Sequence, residues 1–217
     1  MATIGIVCAM WSEAKPLLSW SSDSYVYEVD QRSWIQMDWE GHQVVIVVSK
    51  IGKQNAIEAT QLLIQNHSPS FIVNFGSAGA VSPDVDIGDV VVASATAEYA
   101  QPSPDSLLLP VPANVLSIAE QMDGICTGPI VSADQNIDSD ELKQDLFARY
   151  QAVCGDWESA VIMKVCHEYG TESFVFRVIS DFGNENLVDD FKKHHKKVLT
   201  HGAALLNQYL KLWCVMD

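Results

Sequence analysis

The chain has 217 residues, of which 48% are hydrophobic, and its 28 acidic and 13 basic side chains give a formal net charge of −15. This length and apolar content suit a single domain spanning residues 1–217 with a sizeable core, and they exclude a largely disordered chain. The strong negative charge repels phosphate backbones and argues against a nucleic-acid partner.

Five cysteines are scattered through apolar segments without a C-x-x-C pair, which indicates neither a disulfide framework nor a zinc site. They are typical of reduced, mostly buried thiols in a cytoplasmic protein. The apolar run at 4–10 is too short to span a membrane, lacks a basic region before it and soon meets Glu13 and Lys15. We interpret this run as a strand and expect neither a signal peptide nor a membrane segment.

Short apolar runs alternate with segments of helical period, the pattern of a three-layer α/β/α sandwich around a central mixed sheet. The first strand leads into a helix near Ser12, and a hairpin region with a turn at 40–41 follows. Strands are predicted over 3–10, 24–29, 32–39, 42–49, 71–75, 90–94, 125–131 and 174–180. Further helices are predicted over 53–66, 113–122, 139–149 and 157–169 and at the C-terminal end.

Two segments leave alternatives open. The proline-rich loop over 100–112 carries Leu107, Leu108 and Leu109, which either pack within the chain or contact a partner subunit. The basic cluster at 192–197 is most simply the solvated start of the last helix, with a phosphate-binding patch as the other interpretation.

Three acids and one small-residue segment stand where strands give way to loops or helices. Asp181 follows an apolar strand and precedes a turn-like stretch at 182–184, Glu13 follows the first strand, and Glu158 precedes a helix. Residues 76–79 are predicted to form a tight turn that offers backbone N–H groups to a small ligand. Each feature alone has an ordinary structural explanation. Because ligands lie outside the carboxyl ends of parallel strands, their convergence predicts one site.

Motifs in matching order and spacing extend over most of the chain. They are Ile4-Gly5-Ile6 through Glu13, Ile51-Gly52-Lys53, Asn74 through Gly79, Ile87 through Val92, Ile130-Val131-Ser132 with Asp134, Trp157-Glu158 with Ala160, and Arg177 through Asp181. With these motifs the chain resembles the purine nucleosidase branch of the nucleoside phosphorylase superfamily, especially the 5′-methylthioadenosine/S-adenosylhomocysteine nucleosidases. The resemblance implies a nucleoside phosphorylase-like fold and an enzyme that hydrolyses the N-glycosidic bond of a 5′-substituted purine nucleoside, without a cofactor or a metal.

The resemblance also implies a role for each acid. Asp181 would protonate N7 of the leaving purine, Glu13 would orient and deprotonate the water, and Glu158 would hold the ribose hydroxyls. These roles suit a reaction that builds an oxocarbenium-like sugar and negative charge on the base. The other substrate-binding residues implied are Ser77, Ala78 and Gly79 near the ribose and the water, Ser180 beside Asp181, and Asn136, Ile137 and Trp157 around the base and the ribose.

Asn74 bears on the choice between water and phosphate as the nucleophile. It stands where phosphorylase relatives have an arginine that grips phosphate through charge-assisted hydrogen bonds. A neutral amide among three carboxylates makes a poor phosphate site, so we expect a hydrolase and not a phosphorylase.

Three departures from the family pattern concern the substrate. Asn136 stands where an aromatic residue usually stacks on adenine, Trp157 replaces a methionine under the ribose, and the segment 97–112 is shorter than the family counterpart that helps bind the 5′ substituent across a dimer interface. Futalosine hydrolase, which releases hypoxanthine or adenine in a menaquinone route, is therefore the alternative to the first assignment. A phosphorylase and a non-catalytic nucleoside-binding module are less favoured. The resemblance further implies a cytoplasmic homodimer whose partner is a small-molecule purine nucleoside.

Overall fold

The computed structural model describes residues 2–99 and 109–216 of the chain. Its strands are β1 (Thr3–Cys8), β2 (Ser24–Val29), β3 (Arg32–Trp39), β4 (His42–Val48), β5 (Phe71–Ala80), β6 (Val90–Glu98), β7 (Leu109–Pro110), β8 (Ile125–Ser132), β9 (Cys154–Asp156) and β10 (Glu172–Asp181). Its α-helices are α1 (Trp11–Ala14), α2 (Lys53–His67), α3 (Ala113–Ala119), α4 (Asp140–Tyr150), α5 (Ser159–Tyr169) and α6 (Leu187–Met216), and a 3₁₀ helix, Lys15–Trp20, follows α1.

All of these strands belong to one mixed sheet, as the sequence predicted. Its order is β10-β6-β8-β9-β5-β1-β4-β3-β2, with β7 beside β6. The strand β5 also pairs with β10, so β5, β10, β6, β8 and β9 close into a ring. Within the sheet, β1 runs parallel to β4 and β5, and β5 runs parallel to β10. The carboxyl ends of β1, β5 and β10 therefore meet at one edge.

Helices cover both faces of the sheet and complete the α/β/α sandwich. On one face α2 and α5 bury Ala56, Leu63 and Ile162 against strand residues such as Val45 and Ile72. On the other face the long helix α6 packs on β10. Its stripe of apolar side chains recurs at helical spacing and is buried with the aromatic core of the sheet: Val198, Leu199, Leu206, Tyr209, Leu210 and Trp213.

The prediction of a tight turn at 76–79 is wrong. These residues continue β5, and each pairs with β10 in a register that joins Gly76 to Arg177 and Gly79 to Asp181. A side chain at Gly76 would overlap the Arg177 guanidinium and bring its Cβ within 2.6 Å of Glu13 Oε1. Glycine at this position therefore leaves room in the strand for two charged side chains. A single sequence does not distinguish such a glycine from one that is required by a tight turn.

Other boundaries also differ from the sequence predictions. The strand β9 was not predicted, and α6 begins at Leu187, so the basic cluster at 192–197 lies inside this helix and not at its start. Leu109 pairs with Thr96 of β6 within the chain, whereas Leu107 and Leu108 lie outside the described residues. All five cysteines are free thiols. No described helix is long and apolar enough to cross a membrane. The single domain over 1–217 stays a prediction.

Candidate active site

One pocket opens at the edge where β1, β5 and β10 end. Its cavity measures about 290 Å³, and all ten predicted site residues line it: Glu13, Ser77, Ala78, Gly79, Asn136, Ile137, Trp157, Glu158, Ser180 and Asp181. Residues that the sequence reasoning did not single out as site residues complete the lining: Ala9, Met10, Ile51, Gly155, Asp156, Leu187 and Phe191. The parallel pairing of the strands brings these distant segments together. The individual roles of the ten residues stay predictions.

Glu13 connects the end of β1 to β5. The short helix α1 folds back over the strand, so that Glu13 Oε2 accepts hydrogen bonds from the backbone N–H groups of Ala9 at 2.9 Å and Met10 at 3.0 Å. Glu13 Oε1 accepts from the backbone N–H of Ser77 at 2.9 Å and from its hydroxyl at 3.0 Å. Four donors thus converge on this buried carboxylate and fix its position.

Asp181 is the last residue of β10 and is held by its two neighbours. Its Oδ2 lies 2.7 Å from the Ser180 hydroxyl, and its Oδ1 accepts from the Gly183 N–H at 3.0 Å. Burial raises the pKa of Asp181 above its ordinary value, although these hydrogen bonds partly offset the shift. Gly183 has a φ of +58°, and a Cβ there would lie 2.6 Å from the Ala80 carbonyl, so the turn that fixes the carboxyl group needs glycine.

Glu158 lies at the start of α5, and its Oε1 accepts a hydrogen bond from the Gly52 N–H at 2.8 Å. Burial and the charge of Asp156 raise the pKa of Glu158 to about 7. Glu158 therefore differs from an ordinary surface glutamate, because both its protonated and its ionised forms are present near neutral pH.

A buried ion pair joins Arg177 to Asp156, which lines the pocket, and this pair was missed at the sequence level. The Arg177 Nε donates to Asp156 Oδ2 at 2.7 Å, and Arg177 Nη2 donates to the side-chain oxygen of Asn74 at 2.6 Å. The Asp156 Oδ1 accepts from the backbone N–H groups of Glu158 and Ser159, both at 3.1 Å. Arg177 is the one charged residue between the two ends of β10 and stands within an apolar run, which was the available signal.

Asn74 does not line the pocket. Its amide nitrogen donates to the Val7 carbonyl at 3.0 Å, and its oxygen is taken by Arg177 and by the Ser159 hydroxyl. The described residues that line the pocket include no lysine, arginine or histidine. The buried cation Arg177 is paired with Asp156. The described part of the pocket therefore offers carboxylates and backbone groups, and no free cation, to a ligand.

The residues predicted around the base line the same pocket as Glu13. Ile137 is buried, and its side chain fills the space above Gly155, while its carbonyl lies close to Gly183. Asn136 is exposed and Trp157 is half-buried at the same pocket. Among the described residues, no group of three or more His, Cys, Asp or Glu side chains is arranged to hold a metal ion.

Comparisons with known proteins identify relatives over almost the whole chain. A model of the phosphorylase superfamily matches residues 3–211. The chain is 29% identical to the 5′-methylthioadenosine/S-adenosylhomocysteine nucleosidase of Chromohalobacter salexigens, over 97% of each chain.

Solved structures share the fold. The nucleosidase of that name from Helicobacter pylori, solved with butyl-thio-DADMe-Immucillin-A, has a TM-score of 0.89 at 23% identity, covering 97% of this chain and 98% of that one. The futalosine hydrolase of the same organism also reaches a TM-score of 0.89 at 23% identity, covering 97% of both chains. Similarity at this level of identity shows the nucleoside phosphorylase-like fold.

Proposed function

The chain belongs to the phosphorylase superfamily, as its motifs predicted, and from this premise we propose that it hydrolyses the N-glycosidic bond of a 5′-substituted purine nucleoside and releases the base. The proposed substrates are of the 5′-methylthioadenosine/S-adenosylhomocysteine type. The observation that carries this proposal is the meeting of Glu13, Glu158 and Asp181 in one pocket without a cation in its described lining. The nucleosidases matched along the chain support it.

In the proposed reaction Asp181 is the general acid. Its raised pKa lets it keep a proton at a higher pH than an ordinary aspartate, and the Ser180 hydroxyl, which donates to Asp181 Oδ2 at 2.7 Å, holds the carboxyl group in place. The proton passes to N7 of the purine as the bond between C1′ and N9 breaks. Neutralising the leaving base in this way lowers the barrier to its departure.

Glu13 is the proposed general base, and Glu158 the proposed ribose ligand. Glu13 is fixed from two sides by α1 and β5, so its carboxylate has a set position from which to accept the proton of a water whose oxygen bonds to C1′. Glu158, in its ionised form, accepts hydrogen bonds from the ribose hydroxyls. Ser77, Ala78 and Gly79 border the ribose and the water in this scheme.

Water is the proposed nucleophile, because a phosphate dianion would meet several carboxylates and no free cation among the described lining residues. The test is to incubate the enzyme with 5′-methylthioadenosine with and without inorganic phosphate and to identify the sugar product. We expect a free sugar and a rate that is independent of phosphate. A sugar 1-phosphate product would contradict the hydrolase assignment.

Futalosine hydrolase is the second candidate, favoured by two features of the pocket. Asn136 lacks the ring that would stack on adenine, and the Trp157 indole changes the wall near the ribose. Release of base from 5′-methylthioadenosine, S-adenosylhomocysteine and futalosine should be compared in one assay. A kcat/KM for futalosine about tenfold above the other two would favour the second candidate. Adenine binding without base release from any of the three would instead indicate a non-catalytic binding module.

The proposal extends to assembly and location. A cytoplasmic homodimer built from one domain per chain follows from the resemblance, and the apolar residues Leu107, Leu108 and Leu109 give the dimer some sequence support. The mass of the purified protein at micromolar concentration tests the dimer directly. A monomeric mass would contradict the proposed homodimer and would leave the proposed reaction unaffected.

A further inference from the structure

Lys53 joins three segments of the chain around the pocket. It is the first residue of α2, its side chain is 12% exposed, and its Nζ lies 2.8 Å from Glu98 Oε1 and 2.9 Å from Asp134 Oδ2. Glu98 is the last residue of β6, and Asp134 lies on the loop that follows β8. One ammonium group thus bridges two carboxylates from different elements, Glu98 with a side chain 39% exposed and Asp134 with a side chain 73% exposed. Such a bridge joins three segments of the chain, which an isolated surface ion pair does not.

Two of the joined segments carry residues that line the pocket. Lys53 directly follows Gly52, whose N–H donates to Glu158 Oε1 at 2.8 Å. Asp134 precedes Asn136 and Ile137 by two and three residues, and both of these line the pocket. The ion pairs of Lys53 therefore link two parts of the pocket. One is the segment with Gly52, which contacts Glu158, and the other is the loop with Asp134, which leads to the residues predicted around the base.

We propose that Lys53 is a positioning residue that fixes the ribose side of the pocket through Gly52 and the base side through Asp134. This inference rests on the proposed function, since it assigns the two sides to parts of a nucleoside. Without the ammonium group, Glu98 and Asp134 carboxylate oxygens no more than about 6 Å apart repel each other, and the loop with Asp134 moves outward. Glu13 and Asp181 make no hydrogen bond to this cluster in the described structure.

The kinetic test compares Lys53→Met with Lys53→Arg. We expect K53M to raise KM for 5′-methylthioadenosine about tenfold and to change kcat less than about twofold, because binding contacts shift while the acid and the base stay in place. K53R restores a cation that can bridge both carboxylates, so its KM should stay within about threefold of wild type. Lys164→Met is the matched control: Lys164 is exposed on α5 and has no described ion pair. A fall in kcat as large as the rise in KM would overturn the positioning role.

A second measurement does not depend on catalysis. Amide hydrogen exchange at residues 50–52 and 131–137 should be faster in K53M than in wild type, and unchanged in K53R and K164M. Unchanged exchange in K53M would overturn the inference whatever the enzyme assay gives.

A failure of the proposed function is recognised separately, as absence of base release by the wild-type protein. In that event the affinity for adenine, measured by calorimetry, replaces KM. About tenfold weaker binding of adenine by K53M would then support the inference, and equal binding would overturn it.

Discussion

Replacing Asp181 with asparagine removes the proposed proton donor and keeps the shape of the side chain. In the wild-type protein Asp181 Oδ1 accepts a hydrogen bond from the Gly183 N–H at 3.0 Å. The amide oxygen of the variant can accept the same hydrogen bond. The amide nitrogen can donate to the Ser180 hydroxyl, which in turn donates to the Ala78 carbonyl 3.3 Å away. No buried group is left without a partner, so a loss of rate would report on the proton and not on the packing.

The expected effect is on kcat. General acid catalysis contributes about 10²–10⁴-fold, so D181N should lower kcat about 10³-fold, equivalent to about 4 kcal/mol of transition-state stabilisation. The contacts of Glu158, Ile137 and Trp157 remain, so KM should change less than about threefold. The assay is the initial rate of purine release over a range of nucleoside concentrations.

The matched control is Asp189→Asn, since Asp189 is exposed on the first turn of α6 and does not line the pocket. A D181N enzyme with kcat within tenfold of wild type would refute Asp181 as the acid.

The stability of D181N separates a chemical loss from unfolding. Burial raises the pKa of Asp181 in the folded state, so this group stabilises the fold below its unfolded pKa, and the contribution disappears as pH rises through the folded pKa. Asparagine cannot ionise and does not incur this loss. Relative to wild type, the Tm of D181N should therefore increase as pH rises from acidic to neutral. A Tm that falls steeply relative to wild type would point to unfolding instead.

Two further predictions concern Glu158 and Arg177. Because the pKa of Glu158 is raised to about 7, the wild-type KM should rise as pH falls below neutral. The Glu158→Gln variant should instead have a high KM that hardly changes with pH. A wild-type KM that stays constant from pH 6 to 8 would contradict the role of Glu158 as an ionised ribose ligand. Arg177→Met should lower the unfolding free energy by about 3–5 kcal/mol in urea, because it leaves Asp156 buried and unpaired. Arg149→Met removes a partly exposed ion pair with Asp145 and should lower the unfolding free energy much less. Equal decreases in the two variants would show that the buried ion pair stabilises the fold no more than the partly exposed one.

The sequence alone determined the class of fold and predicted which acids share one pocket. Apolar runs of strand length and amphipathic segments of helical period are local properties, so β2, β3 and β4 and the helix α2 lie close to their predicted bounds. The acids Glu13 and Asp181 lie just after β1 and at the last position of β10, and parallel pairing of the strands is enough to predict that they share one pocket. The family motifs supplied the roles that position alone left open.

Only the tertiary structure decided how the segments pair. The strand state of residues 76–79 depends on hydrogen bonds to β10, about 100 residues further along the chain. The strand β9 has three residues and exists through its pairing with β5 and β8.

The surroundings of individual side chains were likewise decided by the tertiary structure. Asn74 was predicted to stand where phosphorylase relatives have a phosphate-binding arginine, and its side chain contacts Arg177 and does not line the pocket. Whether a side chain faces a cavity or a buried ion pair is set by contacts between residues distant in sequence, and the local pattern of residues does not contain that information.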